Sequence, residues 1–177
     1  MNADRLTETA LQLVASAQQI ARTRQHQAIA PLHVAASLLA DPNGPAARVL
    51  ERAGGDLGQV QGALEAALGR LPKVSGADAQ YMSSEMPQIF DEAERLAQRW
   101  GDAFVAADTL LVAVRAKGGR ELSALPSLEA LEEAAQAIRG GRTVDSKSAE
   151  STFEALARYG IDLTQQARDG KLDPVIG

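Results

Sequence analysis

The 177-residue chain contains no cysteine, and its aromatic residues are one Trp, two Tyr and three Phe. The first absence excludes disulfides, thiolate nucleophiles and cysteine metal sites, and fits a reducing, cytoplasmic setting. The second removes the stacking platforms on which single-stranded nucleic acids are held. Basic residues number 18 against 23 acidic, a net charge of −5 with no basic stripe, so nucleic acid is not an expected partner. The longest apolar run, 104–114, is broken by Asp108 and too short to span a membrane. The opening MNADRLTE carries acids and no apolar h-region, which is not a signal-peptide pattern.

What is abundant is Ala, Leu, Glu, Gln and Arg, in a chain that is 45% hydrophobic. This composition favours helix over strand and supports a buried core, so the expected fold class is all-α.

An internal repeat organises most of the chain. AQQIARTRQHQAIAPLHVAASLL from Ala17 aligns without a gap on AERLAQRWGDAFVAADTLLVAVR from Ala93, an offset of 76 residues. Extended backwards, Leu6, Ala10, Leu13 and Ala17 fall on Met82, Met86, Ile89 and Ala93, all apolar and all spaced as one helical face. Thr7 falls on Ser83, and both are good N-cap residues. Each repeat therefore reads as a long amphipathic helix, a polar turn, and an apolar helix starting near Pro31 or Ala107. The first repeat adds helices over 44–54 and 55–72. The second ends in a helix capped by Ser127 and stopped at Gly140. The domain is placed at 1–141, with repeat one about 1–73 and repeat two about 80–141, packed about a pseudo-two-fold axis. Residues 142–152 are polar and turn-rich and read as a flexible linker. Residues 153–177 regain helical patterning and are expected to begin a further module.

Chemistry is sparse. No Gly-x-x-x-x-Gly-Lys-Ser/Thr loop is present, so neither ATP binding nor hydrolysis is expected of this chain. His26 and His33 have no cysteine or nearby carboxylate to complete a metal set, and both are read as structural, His26 in a turn and His33 at a helix start. No nucleophile-elbow or similar signature marks a catalytic residue. Binding is better supported. Thr7, Leu11 and Val14 form a flank beside the core stripe of the first helix, and Ser83, Pro87 and Phe90 form the matching flank in the second repeat. Such a flank either packs on neighbouring helices or stays open as a groove.

The doubled unit containing HQAIAPLHVAASLL resembles the N-terminal repeat domain of the Clp ATPases, and the tail DLTQQARDGKLDPVIG resembles the entry into the first ATPase module of the ClpB-type disaggregases. The run 118–126 looks contracted against that family's pattern. The resemblance implies an N-terminal domain that holds unfolded or aggregated polypeptide in a shallow apolar groove, within a cytoplasmic hexamer that uses ATP and Mg and works with a DnaK-type system. It implies client contacts at Thr7, Asp102 and Asp108, beside the apolar Leu11, Val14 and Phe90, and the two acids suggest a preference for basic, apolar segments. The alternative is an adaptor-docking domain of a ClpA/ClpC-type unfoldase. Capping explains Thr7, a turn after Gly101 explains Asp102, and a helix N-terminus explains Asp108 equally well.

Overall fold

A computed structural model describes residues 2–76 and 79–159, with side chains as far as residue 155. Repeat one contributes α1 (Glu8–Thr23), β1 (Ala28–Ile29), α2 (Pro31–Leu38), α3 (Pro45–Arg52) and α4 (Leu57–Gly69). Repeat two contributes β2 (Tyr81–Met82), α5 (Met86–Arg99), α6 (Ala107–Lys117) and α7 (Leu128–Arg139), and α8 (Ala149–Tyr159) follows. The all-α expectation holds, with one two-residue parallel strand pair added.

The helix ends follow from local chemistry. Thr7 caps α1 by accepting from the Ala10 N–H at 3.1 Å, Asp56 caps α4 through Gln59, and Ser127 caps α7 through Ala130. Pro31 opens α2, as its missing N–H allows. Helix α1 ends on Gln25, which is left-handed at φ 62°, and α5 ends on its repeat mate Gly101 at φ 76°. In both places the next residue reaches back five: His26 N–H to Ala21 O and Asp102 N–H to Ala97 O, each at 2.8 Å.

Helix α6 is the centre of the domain. Leu110 to Val114 are completely buried, and α6 packs on α5, α7, α2, α3 and α1. A helix apolar on all sides belongs in a core, which accounts for the long apolar run noted in the sequence. Around it, the Ala10–Val14–Ala17–Ala21 stripe of α1 and the Ile89–Ala93–Leu96 stripe of α5 turn inward.

The pseudo-two-fold relation is carried by the backbone. Ile29 pairs in parallel with Met82, and Val105, the repeat mate of Ile29, pairs in parallel with Leu6, the mate of Met82. The Thr7 N–H donates to Val105 O, and the Ser83 N–H to Ile29 O. Each repeat thus lends its pre-helix strand to the other, a self-complementary exchange of the kind a two-fold axis produces.

The structure revises two expectations, the Ser83 cap and the 142–152 linker, and shows what the contracted run 118–126 consists of. Ser83 does not cap α5: Met86 donates to the Ser83 carbonyl, and the helix opens two residues later than a Ser83 cap would place it, where Pro87 needs no acceptor for an N–H. The contracted run 118–126 replaces the counterpart of α3 with a single 3₁₀ turn, Arg120–Leu122. A Cβ on Gly118 would stand 2.0 Å from Leu122 Cδ1 and 2.4 Å from Val114 O, so only glycine permits that closure. Finally, residues 142–152 are not a free linker. Val144 and Ala149 are buried with Ala106, and α8 begins inside the stretch at Ala149. The ClpB-like motif from Asp162 to Gly177 lies outside the described residues.

Candidate functional site

The expected client-contact residues separate into two groups. Val14 and Phe90 are 8% and 9% exposed and belong to the main core, whereas Leu11 is 44% exposed on the outer side of α1. Of that apolar flank, Leu11 and Pro87 are exposed. Thr7, Asp102 and Asp108 are instead brought together at one edge of the domain, where residues 143–153 fold back over the N-termini of α1 and α6.

Arg139, in the last turn of α7, organises this edge and is 4% exposed. Its Nη1 donates to both Asp102 oxygens at 2.8 Å, its Nε to Asp108 Oδ2 at 2.8 Å and its Nη2 to Asp108 Oδ1 at 2.9 Å. The guanidinium also lies 4.9 Å from the centre of the Trp100 ring. One planar cation thus holds two carboxylates in the fork geometry that only arginine supplies. Burial works against the charged guanidinium, but the Asp108 and Asp102 carboxylates override it and raise its pKa above the ordinary arginine value. Burial pushes the Asp102 carboxyl up, against the pull of the Val144 N–H and Arg139. The bidentate geometry identifies the pair as ionic. Both acids are engaged by Arg139, whose single positive charge offsets one of their two negative charges.

The folded-back segment, here called the strap, is stitched to this edge by its main chain. The Ala103 N–H donates to Val144 O at 2.8 Å, the Val144 N–H to Asp102 Oδ1 at 2.9 Å, and the Glu8 N–H to Lys147 O at 2.8 Å. Val144 fills a small apolar socket with Ala106, Ala149, Phe104 and Phe153. Glu150 then enters between two helix N-termini, accepting from the Thr7 hydroxyl and, at 2.9 Å, from the Ala107 N–H. Burial raises its pKa against the pull of those two donors. Glu8 and Ala107 are the first residues of their helices, so the strap satisfies two N–H groups that lack intrahelical partners. Beside it, a cleft of about 210 Å³ opens between α3, α7 and α8, lined by Val49, Ile138, Arg142 and Phe153 among others.

The equivalent place in repeat one is filled differently. His26 and His33 are the repeat mates of Asp102 and Thr109, and their rings meet with Nδ1 of His26 2.9 Å from Nε2 of His33. The Ala30 N–H donates to His33 Nδ1, so the His33 proton sits on Nε2 and is donated to His26. Both histidines are structural, at the turn and helix start where they were expected, and they also contact each other. Burial and the neighbouring His26 bring the His33 pKa down to about 4.

Sequence reasoning missed Arg139, Val144 and Glu150. Arg139 read as a helix-end residue before Gly140 and Gly141. The signal for the strap was slight: one apolar Val144 in a polar stretch, and an acid shortly after the Ser146–Ser148 turn.

Comparison with known proteins identifies the fold. The description Clp repeat (R) N-terminal domain matches residues 5–126. The chain belongs to the Clp repeat N-terminal domain family. This Clp domain is 47% identical over 178 residues to the chaperone protein ClpB of Meiothermus ruber, covering 100% of this chain and 20% of that protein. It is 42% identical over 184 residues to the ClpB of Rhodopseudomonas palustris, with 100% and 21% covered. The chain thus spans about a fifth of the length of the curated relatives it matches. Among solved structures, the Hsp104 N-terminal domain of Candida albicans superposes with a TM-score of 0.71 at 21% identity, covering 82% of this chain and 98% of that one. The N-terminal domain of ClpD from Arabidopsis thaliana gives 0.59 at 16% identity, covering 77% and 96%. Both share the Clp fold.

Proposed function

We propose that this chain is the substrate-recognition module of an ATP-driven protein disaggregase, binding unfolded or aggregated polypeptide and passing it to ATPase modules elsewhere in the protein. The observation that carries this reading is the match to ClpB chaperones over the full chain, continuing past residue 126 where the Clp repeat match ends. On this reading the complete protein is a cytoplasmic hexamer that uses ATP and Mg and acts with a DnaK-type system. The domain itself has no catalytic role and binds clients through apolar surface that includes Leu11. Weak binding suits the task, since a module that must accept many sequences gains avidity from its copies in a ring.

The test is fluorescence anisotropy of a labelled, permanently unfolded protein titrated with the 177-residue chain and with its Leu11→Ser variant. Saturable binding that the substitution weakens severalfold supports the reading. Absence of binding, with capture instead of a folded adaptor, would replace it with the docking role of ClpA/ClpC-type domains.

A further inference from the structure

The strap is held by contacts that are indifferent to most of its own sequence. Two of its carbonyls and one of its N–H groups pair with Glu8, Ala103 and Asp102, while Asp145, Ser146, Lys147 and Ser148 are exposed. The side-chain contacts that enter the domain most deeply are Val144 in its apolar socket and Glu150, six residues on, between the Thr7 hydroxyl and the Ala107 N–H, while exposed Lys147 pairs with Asp4 at the surface. Main-chain bonds of this kind hold a segment in place while spaced side-chain contacts select it.

The other end of the pseudo-two-fold axis shows what makes the strap distinct. There the chain that follows α4 bonds back through the Val74 N–H to Gln25 O, and continues directly into β2, which pairs with β1. That segment is anchored on both sides by the repeats. The strap comes after the last repeat helix, so its release interrupts no connection within the two-repeat fold. Its buried apolar groups are also small, a Val and an Ala. The seat it occupies is formed by the start of α1, the 102–106 loop and the start of α6, and Phe104 and Ala106 supply the part of the apolar socket that does not belong to the strap segment itself.

We propose that this seat is a binding site for a polypeptide segment that carries an apolar side chain, turns, and places a Glu or Gln six residues further on in the first turn of a helix, and that residues 144–150 are its displaceable internal occupant. The proposal rests on the reading that the domain binds unfolded chains, and it names the segment selected. A Gln fits as well as a Glu because its carbonyl accepts from Ala107 while its amide donates to the Thr7 hydroxyl, and because burial disfavours charge there. A Lys at that position can donate to the Thr7 hydroxyl but leaves the buried Ala107 N–H without an acceptor.

The occupant and the competing segment are linked by mass action: a tethered strap lowers the apparent affinity for any competitor by the fraction of time the seat is filled. The experiment uses the 177-residue chain and a Val144→Ser, Glu150→Lys variant whose fold is confirmed by its amide spectrum. Thr7→Val serves as a second variant that removes one donor of the acidic pocket while retaining the strap sequence. The probe is a synthetic peptide copying residues 143–152, with a second peptide bearing Lys in place of its Glu. The strap-weakened double variant should bind the first peptide at least tenfold more tightly than the parent, with amide shifts at Glu8, Ala103 and Ala107, and should bind the Lys peptide at least tenfold more weakly. Thr7→Val should bind the first peptide more weakly than the double variant does. No peptide binding by the folded double variant, or shifts centred elsewhere, overturns the proposal. A permanently unfolded protein separates the two readings. If it binds parent and double variant equally, the seat is not the client site and only this proposal falls. If it binds neither, the client reading falls with it.

Discussion

Thr7 and Glu150 lie 143 positions apart, and a single hydroxyl joins them: Thr7 Oγ accepts the Ala10 N–H that caps α1 and donates its own proton to the Glu150 carboxylate. One side chain thus performs the helix-capping role legible in the sequence and a long-range role that was not. The two uses are compatible because a hydroxyl is both donor and acceptor.

Substituting Thr7 therefore has a divided effect. Thr7→Ser should keep both bonds and leave stability within about 0.5 kcal/mol of the parent. Thr7→Val should cost about 1–2 kcal/mol from the lost cap and should also speed amide exchange at Val144. Urea unfolding and residue-resolved hydrogen exchange separate the two effects. Unchanged exchange at Val144 would show that Thr7 does not hold the strap.

Arg139 should be the most sensitive ionic residue. Arg139→Met leaves buried Asp102 and half-buried Asp108 without a cation, at a cost of about 3–5 kcal/mol. The exposed Arg99–Glu132 pair offers a contrast, since Arg99→Ala should cost under about 1 kcal/mol. Denaturant midpoints for the two variants check the difference. Equal losses would mean that the buried cluster contributes no more than a surface pair.

The His33 pKa, held at about 4 against 6.5 for the free side chain, makes stability fall with acid. The unfolded chain takes up a proton below pH 6.5 that the folded chain accepts only near pH 4, so the stabilisation is complete above 6.5 and is lost as pH falls toward 4. The full span amounts to up to about 3 kcal/mol. Between pH 7.5 and 4.5, the parent should lose more stability than His33→Gln by roughly 2 kcal/mol in urea unfolding. Parallel losses would place the proton uptake elsewhere.

Gln25 and Gly101 hold the same left-handed position in the two repeats, one with a Cβ and one without. Gln25→Gly should be neutral or stabilising by up to about 1 kcal/mol, and Gly101→Ala destabilising by about 1–2 kcal/mol. Thermal unfolding of the two variants tests the signs directly.

The repeat was legible because helical periodicity and the 76-residue offset both survive in the apolar positions, and it located the starts of α1, α2 and α6. The short strands were not, since two residues such as Ala28–Ile29 cannot display an alternating pattern. At the edge of the domain, Thr7, Asp102 and Asp108 were each identified through the family and each given a local explanation. Their shared partners were out of reach. Arg139 sits 37 positions from Asp102 and Glu150 is 143 from Thr7, and no local rule connects residues so far apart. The polar stretch 142–152 resembles a linker because its attachment is through backbone groups, which leave little trace in side-chain composition.

The most direct test of the client-binding account is an amide-shift titration of the 177-residue chain with a permanently unfolded protein. The account predicts saturable shifts that include Leu11 and the strap edge around Thr7, Ala103 and Asp102, reduced in Leu11→Ser. A spectrum unchanged at concentrations where a complete ClpB-type protein binds the same client would contradict it.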